Sequence, residues 1–265
     1  MSSVPAGPNR ARRIVAAAAA AASLAVAVSC GDDSTGTSGS SYVYGTPVAV
    51  GDGQARSYVL MDQGKPLEFG IALSEAALTN LPTAQMMYEY LLPLPATNPT
   101  QLKLVELDWN PQGHPPPAVY TVPHFDFHFY SITQAERDAI DPADPDFQTK
   151  TANHPAAEFI APGYAPDPVA VPHMGVHWTD PASPEFNGQP FTRTFIYGSW
   201  DGKPTFMEPM VTTAFLETQP TDTAAVPMAS KHEPLGFYPD RYIVSWDGTA
   251  KEWRVALGGL TAVSQ

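Results

Sequence analysis

Residues 123–130, PHFDFHFY, constrain the fold more than any other part of this chain. Phenylalanine occupies every second position, and His124, Asp126 and His128 stand between the rings. Alternate side chains of a β-strand point to opposite faces. One face would therefore bury three benzyl groups, worth about 2 kcal/mol each, and this burial would fix the strand's register. The other face carries side chains that bind metals, and it is either exposed to solvent or part of a site.

Three pairs of apolar segments flank turn signals and predict antiparallel hairpins. The paired segments are residues 56–61 with 66–73, 192–200 with 204–215, and 241–246 with 250–257. The last two pairs enclose Asp-Gly, which suits the left-handed dihedrals of a two-residue turn. Because Ser-Trp-Asp-Gly occurs at both 199–202 and 245–248, we interpret the two copies as the same turn.

Helices are expected to be few and short. Residues 74–81 and 133–140 have helical patterns, and Thr133 and Glu136 have the spacing of a capping box. The proline-rich stretch 141–172 predicts a long ordered loop over the sheet. The predicted fold class is therefore mainly β, with an antiparallel, hairpin-rich sheet or barrel-like body, two or three short helices and long proline-rich loops.

The first 29 residues have the features of a secretory signal peptide. Three arginines and no acidic residue accompany an apolar run over 14–28, which small residues follow. This run is shorter than the roughly 20 residues of a membrane-spanning helix. The only cysteine, Cys30, ends Ala-Val-Ser-Cys, which resembles a bacterial lipobox with alanine in place of the usual leucine. This resemblance implies an extracytoplasmic bacterial lipoprotein, held to the cell membrane by a lipid on Cys30; the alternative is a plain signal peptide with an incidental cysteine.

The expected domain organisation follows from this processing. Residues 1–29 are the signal peptide, residues 30–41 are the lipidated cysteine and a flexible Gly/Ser linker, and residues 42–265 form one β-rich domain. The formal net charge is −13, and no basic stripe is present to neutralise phosphates. The charge therefore argues against nucleic acid as a partner.

Two distant segments carry residues that can join the polar face of the strand. The candidate metal ligands are His124, Asp126, His128, His173, His177 and Glu208. Imidazole and carboxylate groups match the divalent transition metals zinc, iron and manganese. Strand residues two apart are about 6.6 Å apart and residues four apart about 13 Å. Asp126 can therefore share an ion with either neighbouring histidine, whereas the two histidines share one only if both lean inward.

Three interpretations of this face remain open: a bound transition metal, a metal-free polar pocket, or a solvated surface. His154 and Glu158 are further candidates in the long loop. His114 and His232 stand alone in the sequence, and we interpret them as surface-loop residues.

Several motifs occur in the order found in an uncharacterised family of bacterial extracytoplasmic domains. They are DWNPQGH at 108–114, PHFDFHFY at 123–130, MGVHW at 174–178, FIYG at 195–198 and FMEPM at 206–210. Over about residues 42–220 the chain resembles this family of unknown function, whose type member is a Thermus protein under sigma-E control. The resemblance implies a mostly β, extracytoplasmic domain and points to a homo-oligomer, but it implies no reaction and no catalytic residues. The His-x-Asp-x-His pattern is also similar to cupins, in which His-x-His and a glutamate bind one metal.

Two functions remain open from the sequence. The first is a lipid-anchored extracytoplasmic protein whose polar pocket binds a small-molecule ligand or a metal without turnover. The second is a metal-dependent, cupin-like hydrolase or oxygenase of the envelope that activates water or dioxygen at an open coordination position. The sequence has no Gly-x-Ser-x-Gly elbow, glycine-rich phosphate loop or His-Glu-x-x-His helix, so the catalytic residues stay unassigned.

Overall fold

The structure, a computed structural model, describes residues 39–263. The predicted signal peptide, Cys30 and most of the predicted linker lie outside these residues. Within residues 39–263, no helix is both long enough and apolar enough to span a membrane.

Most of the regular structure is β. The strands are β1 Ser41–Tyr44, β2 Val48–Val50, β3 Gly53–Asp62, β4 Lys65–Ser74, β5 Tyr88–Leu92, β6 Leu104–Asn110, β7 His124–Tyr130, β8 Ala165–Pro166, β9 Val176–Thr179, β10 Arg193–Trp200, β11 Lys203–Thr212, β12 Thr221–Ala225, β13 Gly236–Tyr238, β14 Arg241–Asp247, β15 Glu252–Gly258 and β16 Thr261–Val263. The prediction of a mainly β fold is confirmed.

The helices are short, as predicted. They are α1 Gln134–Asp138, α2 Phe147–Ala152 and α3 Thr213–Glu217, with 3-10 turns at Glu75–Leu78, Ala157–Phe159 and Pro184–Asn187. The predicted capping box forms at α1, where Thr133 accepts from the backbone of Glu136 and the Glu136 side chain accepts in return. The helix expected over 74–81 is reduced to one 3-10 turn. Its N-cap residue, Ser74, makes no cap bond, and its hydroxyl instead accepts the backbone N–H of Gln54.

The strands form two open antiparallel sheets. The first has the order β1-β3-β4-β15-β14-β12, with β2 also paired to β3, and the second has the order β5-β6-β7-β11-β10-β9-β8. A separate two-stranded sheet pairs β13 with β16. Within residues 39–263, the outermost strands of each large sheet pair with one neighbour only, so the barrel-like alternative is wrong.

One apolar core joins the inner faces of the two large sheets. Phe125, Phe127 and Phe129 of β7 are fully buried in it, as their alternation predicts. The ring of Phe129 meets that of Phe69 in β4 edge-on, at 5.9 Å between centroids. The histidines of β7 therefore lie on the outer face of the second sheet, away from the first sheet.

That outer face is not solvated, because loops and aromatic side chains cover it. His124 and His128 are fully buried and Asp126 is 2% exposed. The ring of Phe191 packs edge-on against His124, at 5.3 Å between centroids, and Phe206 packs against His128 at 4.9 Å. The interpretation of a solvated face is therefore wrong.

The two copies of Ser-Trp-Asp-Gly form different turns, contrary to expectation. Asp201 and Gly202 have φ of 46° and 79° and make a two-residue turn, in which Asn153 donates to the Asp201 side chain. The second copy opens a longer loop, since Asp247 pairs with Glu252 in the register. There the Asp247 carboxylate accepts N–H groups from its own loop. The two turns therefore differ in the groups that the aspartate side chain contacts, and the four-residue motif does not determine those contacts.

Candidate metal centre

Polar side chains form rows across the outer face of the second sheet. Strand β6 repeats the alternation of β7, so Glu106 lies opposite His128 and Asp108 lies opposite Asp126. On the far side of β11, His177 of β9 lies opposite Gly198 of β10. Antiparallel pairing thus aligns residues that are distant in the sequence on one buried surface.

Three of the predicted ligands converge on this surface, and we call His128, His177 and Glu208 the first triad. The distance from His128 Nε2 to Glu208 Oε2 is 3.2 Å, and the distance from His177 Nε2 to the same oxygen is 3.7 Å. The side chains of His128 and Glu208 are at most 2% exposed, and that of His177 is 12% exposed. The triad offers one ligand atom per residue, all within 4.8 Å of one another, and so can hold a metal ion.

The spacing of these atoms is that of ligands around an ion. Two atoms that each lie about 2.1 Å from one metal are separated by about 3.0 Å at octahedral neighbouring positions and about 3.4 Å at tetrahedral ones. The separation of 3.2 Å lies within this range, and the separation of 3.7 Å lies just above it. Neither nitrogen of His128 nor Glu208 Oε2 has an aligned hydrogen-bond partner among the described residues. A buried polar atom left unpaired costs about 1–3 kcal/mol, which a bound cation would offset.

Asp108 lies behind the first triad. Its Oδ2 is 3.3 Å from His128 Nδ1, and its side chain is fully buried. Histidines that bind metals commonly donate their second ring N–H to a carboxylate, which fixes the tautomer and the ring orientation. Asp108 is close enough to orient the His128 ring in this way, although the two groups are not aligned as a hydrogen bond in the structure.

Burial sets the charge states around the first triad. Burial, followed by the charge of nearby His128, lowers the pKa of His177 to about 3, so this ring is neutral at pH 7. Neutral imidazole is the form that binds metals. Burial lowers the pKa of His128, but the neighbouring Glu208 and Asp108 carboxylates outweigh it and raise this pKa well above its ordinary value, so a metal that binds here displaces a proton from His128. Burial also raises the pKa of Glu208, although the charge of His128 opposes this effect. Glu106 has its pKa raised to about 8 by burial and by the neighbouring Asp108.

The remaining ligands predicted on β7 belong to a different group. His124 and Asp126 contact each other and His114, and we call these three residues the second triad. His124 therefore does not share the centre formed by His128, although both rings lie on the same face of one strand.

Three other candidates lie outside both triads. His173 is 39% exposed in its side chain, and its Nδ1 contacts the guanidinium of Arg137 at 3.2 Å. His154 packs its ring against Trp178, and Glu158 pairs with Lys231 at the surface.

Sequence reasoning missed His114, Asp108 and Glu106. His114 stands in a loop, as predicted, but its ring reaches Asp126 rather than solvent alone. The alternation of apolar and polar residues in VELDWN, residues 105–110, resembles that of β7 and was a usable signal for the buried carboxylates of β6. No pattern in the sequence indicated that Arg137 would be buried. It is 3% exposed and pairs with Glu106 because α1 packs over the sheet.

The chain matches one family model over part of its length. Residues 62–109 match the model described as TTHB210-like, Hypothetical protein TTHB210. This segment ends in β6 and includes Glu106 and Asp108, but no member of either triad. No curated protein and no solved structure matches the chain. The comparisons thus associate one segment with a family of unknown function.

Proposed function

We propose that this chain is an exported, lipid-anchored protein that binds a divalent transition metal at His128, His177 and Glu208. The observation that carries this proposal is the convergence of three ligand atoms, from three different strands, within 4.8 Å at a buried position. One separation, 3.2 Å, falls within the range for ligands on one ion and the other, 3.7 Å, lies just above it, and Asp108 lies where it would orient His128. Two imidazoles and one carboxylate suit zinc, iron or manganese.

Three protein ligands also leave coordination positions for water or a small molecule. Structural zinc sites use four protein ligands, whereas catalytic sites use three and keep one position open. The first triad has this composition, and 12% of the His177 side chain is exposed to solvent. This favours, as the second candidate function, a metal-dependent hydrolase or oxygenase in which the ion activates water or dioxygen. Ester and phosphoester hydrolysis and dioxygen uptake by the metal-loaded protein test it; an activity unchanged in Glu208→Gln would exclude this site as its source.

Metal analysis of the mature protein, purified without a histidine tag, tests the metal proposal. After loading with zinc and extensive dialysis, the wild type retains zinc at the first triad. His177→Ala and Glu208→Gln each lose that ion, because two ligands cannot replace three. His154→Ala is the matched control, since this histidine packs on Trp178 outside both triads, and it retains the wild-type content. Equal zinc content in all four proteins contradicts the proposal.

The Asp108→Asn variant tests whether Asp108 orients the His128 ring, because it leaves the three metal ligands unchanged. The variant keeps all three ligands and removes the charge behind His128, so we expect zinc affinity to fall by about 10- to 100-fold. Titration against a chelator of known affinity measures this change. An unchanged affinity would show that Asp108 does not position the ring.

The cellular location is a separate part of the proposal and rests on the N-terminal sequence. We expect the protein to partition into the detergent phase of a membrane extract, because a lipid on Cys30 holds it to the membrane. Cys30→Ser, expressed in the same cells, should move the protein into the aqueous phase or leave the precursor uncleaved. A wild-type protein that is fully aqueous after processing would exclude the anchor.

A further inference from the structure

The second triad lies beside the first on the same strand but uses other ligands. Asp126 Oδ1 is 3.1 Å from His124 Nε2, and Asp126 Oδ2 is 3.4 Å from His114 Nε2. His124 and Asp126 are almost fully buried, and the His114 side chain is 32% exposed. The group therefore has two fixed members on the sheet and one member that faces solvent from a loop.

Both histidines of the second triad have their tautomers fixed by the backbone. His114 Nδ1 is 2.7 Å from the carbonyl oxygen of Pro115, and His124 Nδ1 is 2.7 Å from that of Val122. A carbonyl oxygen only accepts, so each Nδ1 carries a proton and donates it. When the rings are neutral, each Nε2 carries a lone pair, and both lone pairs face the carboxylate of Asp126. Acceptors that face each other in this way require a cation between them or a proton on each ring.

The alignment of the atoms favours a shared cation. His124 Nε2 and Asp126 Oδ1 have no aligned hydrogen-bond partner among the described residues, although they are only 3.1 Å apart. A protonated ring would be expected to aim its N–H at the oxygen. The separations of 3.1 and 3.4 Å instead match the roughly 3.0–3.4 Å between ligands of one metal.

The carboxylate of the second triad is itself held in place. Asn110 Nδ2 donates to Asp126 Oδ2 over 2.7 Å, from the neighbouring strand β6. Ordered partners of this kind orient the ligand oxygens of metal sites. The donor set is again two imidazole nitrogens and a carboxylate, with solvent access on the side of His114.

We propose that His114, His124 and Asp126 form a second site for a divalent transition metal, so that the protein binds two ions on one face of its second sheet. This site goes beyond the proposed function because none of its ligands belongs to the first triad. Asp126 and His128 are two residues apart on β7, which spaces their backbones by about 6.6 Å. The two ions would therefore be neighbours, each held by its own pair of histidines and its own carboxylate.

Zinc stoichiometry of the full mature protein tests this proposal. The protein is purified in detergent without a histidine tag, and calorimetric titration with zinc chloride is compared with the metal retained after gel filtration. The wild type and the control His154→Ala bind two equivalents, whereas His114→Ala and His177→Ala bind one each. Since His114 is a partly exposed loop residue, we expect its variant to fold, and circular dichroism checks this. His114→Gln, which preserves more side-chain volume, repeats the measurement.

Each other outcome has a distinct meaning. A single equivalent that persists in His114→Ala overturns the second site and leaves a metal-free pair of imidazolium groups around Asp126. A single equivalent lost in both variants means that one ion is shared, which also overturns a separate site. A single equivalent that is lost in His114→Ala but kept in His177→Ala supports the second site and contradicts the proposed function of the first triad.

Discussion

Replacing Phe127 with alanine is expected to lower the free energy of unfolding by about 3–5 kcal/mol. Phe127 is fully buried in the core between the two large sheets, and its ring lies 6.3 Å from that of Phe125. Removal of the ring leaves a cavity that the surrounding strands cannot close, because hydrogen bonding within each sheet fixes their positions. Urea denaturation in the presence of a chelator measures the change without a contribution from metal.

A matched substitution shows whether the loss comes from core packing. Val169 is 68% exposed, so Val169→Ala should change the free energy of unfolding by no more than about 0.5 kcal/mol. Because a domain of this kind is stable by only about 5–15 kcal/mol, Phe127→Ala should also show a clearly lower unfolding temperature. A loss below about 1 kcal/mol, close to that of ordinary surface changes, would contradict the burial of the Phe127 ring in the core between the sheets.

Removing bound metal is expected to destabilise the folded protein by a similar amount. A ligand that binds only the folded state stabilises it by about 4 kcal/mol when its free concentration is 1,000 times its dissociation constant. The unfolded chain does not bring His128, His177 and Glu208 together, so it binds the ion only weakly. Unfolding of the wild type, measured in excess zinc and again in excess chelator, gives the difference.

Histidine variants identify the source of this stabilisation. In the double variant His114→Ala/His177→Ala, each triad lacks one ligand, and zinc should no longer raise the unfolding temperature. His154→Ala should respond to zinc as the wild type does. If zinc and chelator give the wild type the same stability, neither triad binds metal with useful affinity.

The sequence was sufficient to predict much of this fold because local patterns determine it. The alternation in residues 123–130 predicts a strand with one apolar face, and apolar segments around turn residues predict the three hairpins. The capping box at Thr133 also forms as predicted, since all of its bonds are local. Closure of the sheet was not predictable in this way: whether strands form a barrel or two packed sheets depends on contacts between residues distant in the chain.

The candidate site, like the fold, was only partly predictable from the sequence. The residue types of both triads were visible in the sequence, but their grouping depends on the register of β7 with β6 and β11 and on the path of one loop. Spacing alone treats His124 and His128 as alternatives for one ion, whereas the structure turns them toward different carboxylates. His114 joins the second triad through the loop after β6, and a lone histidine beside Gly113 carries no local sign of that contact.

Anomalous scattering from crystals grown with zinc tests the central claim most directly. Data collected on both sides of the zinc absorption edge should give a peak about 2.1 Å from His128 Nε2, His177 Nε2 and a Glu208 carboxylate oxygen. A peak absent from this position, with the Nε2 atoms of His128 and His177 hydrogen-bonded to protein groups or to water, would contradict a metal centre at the first triad.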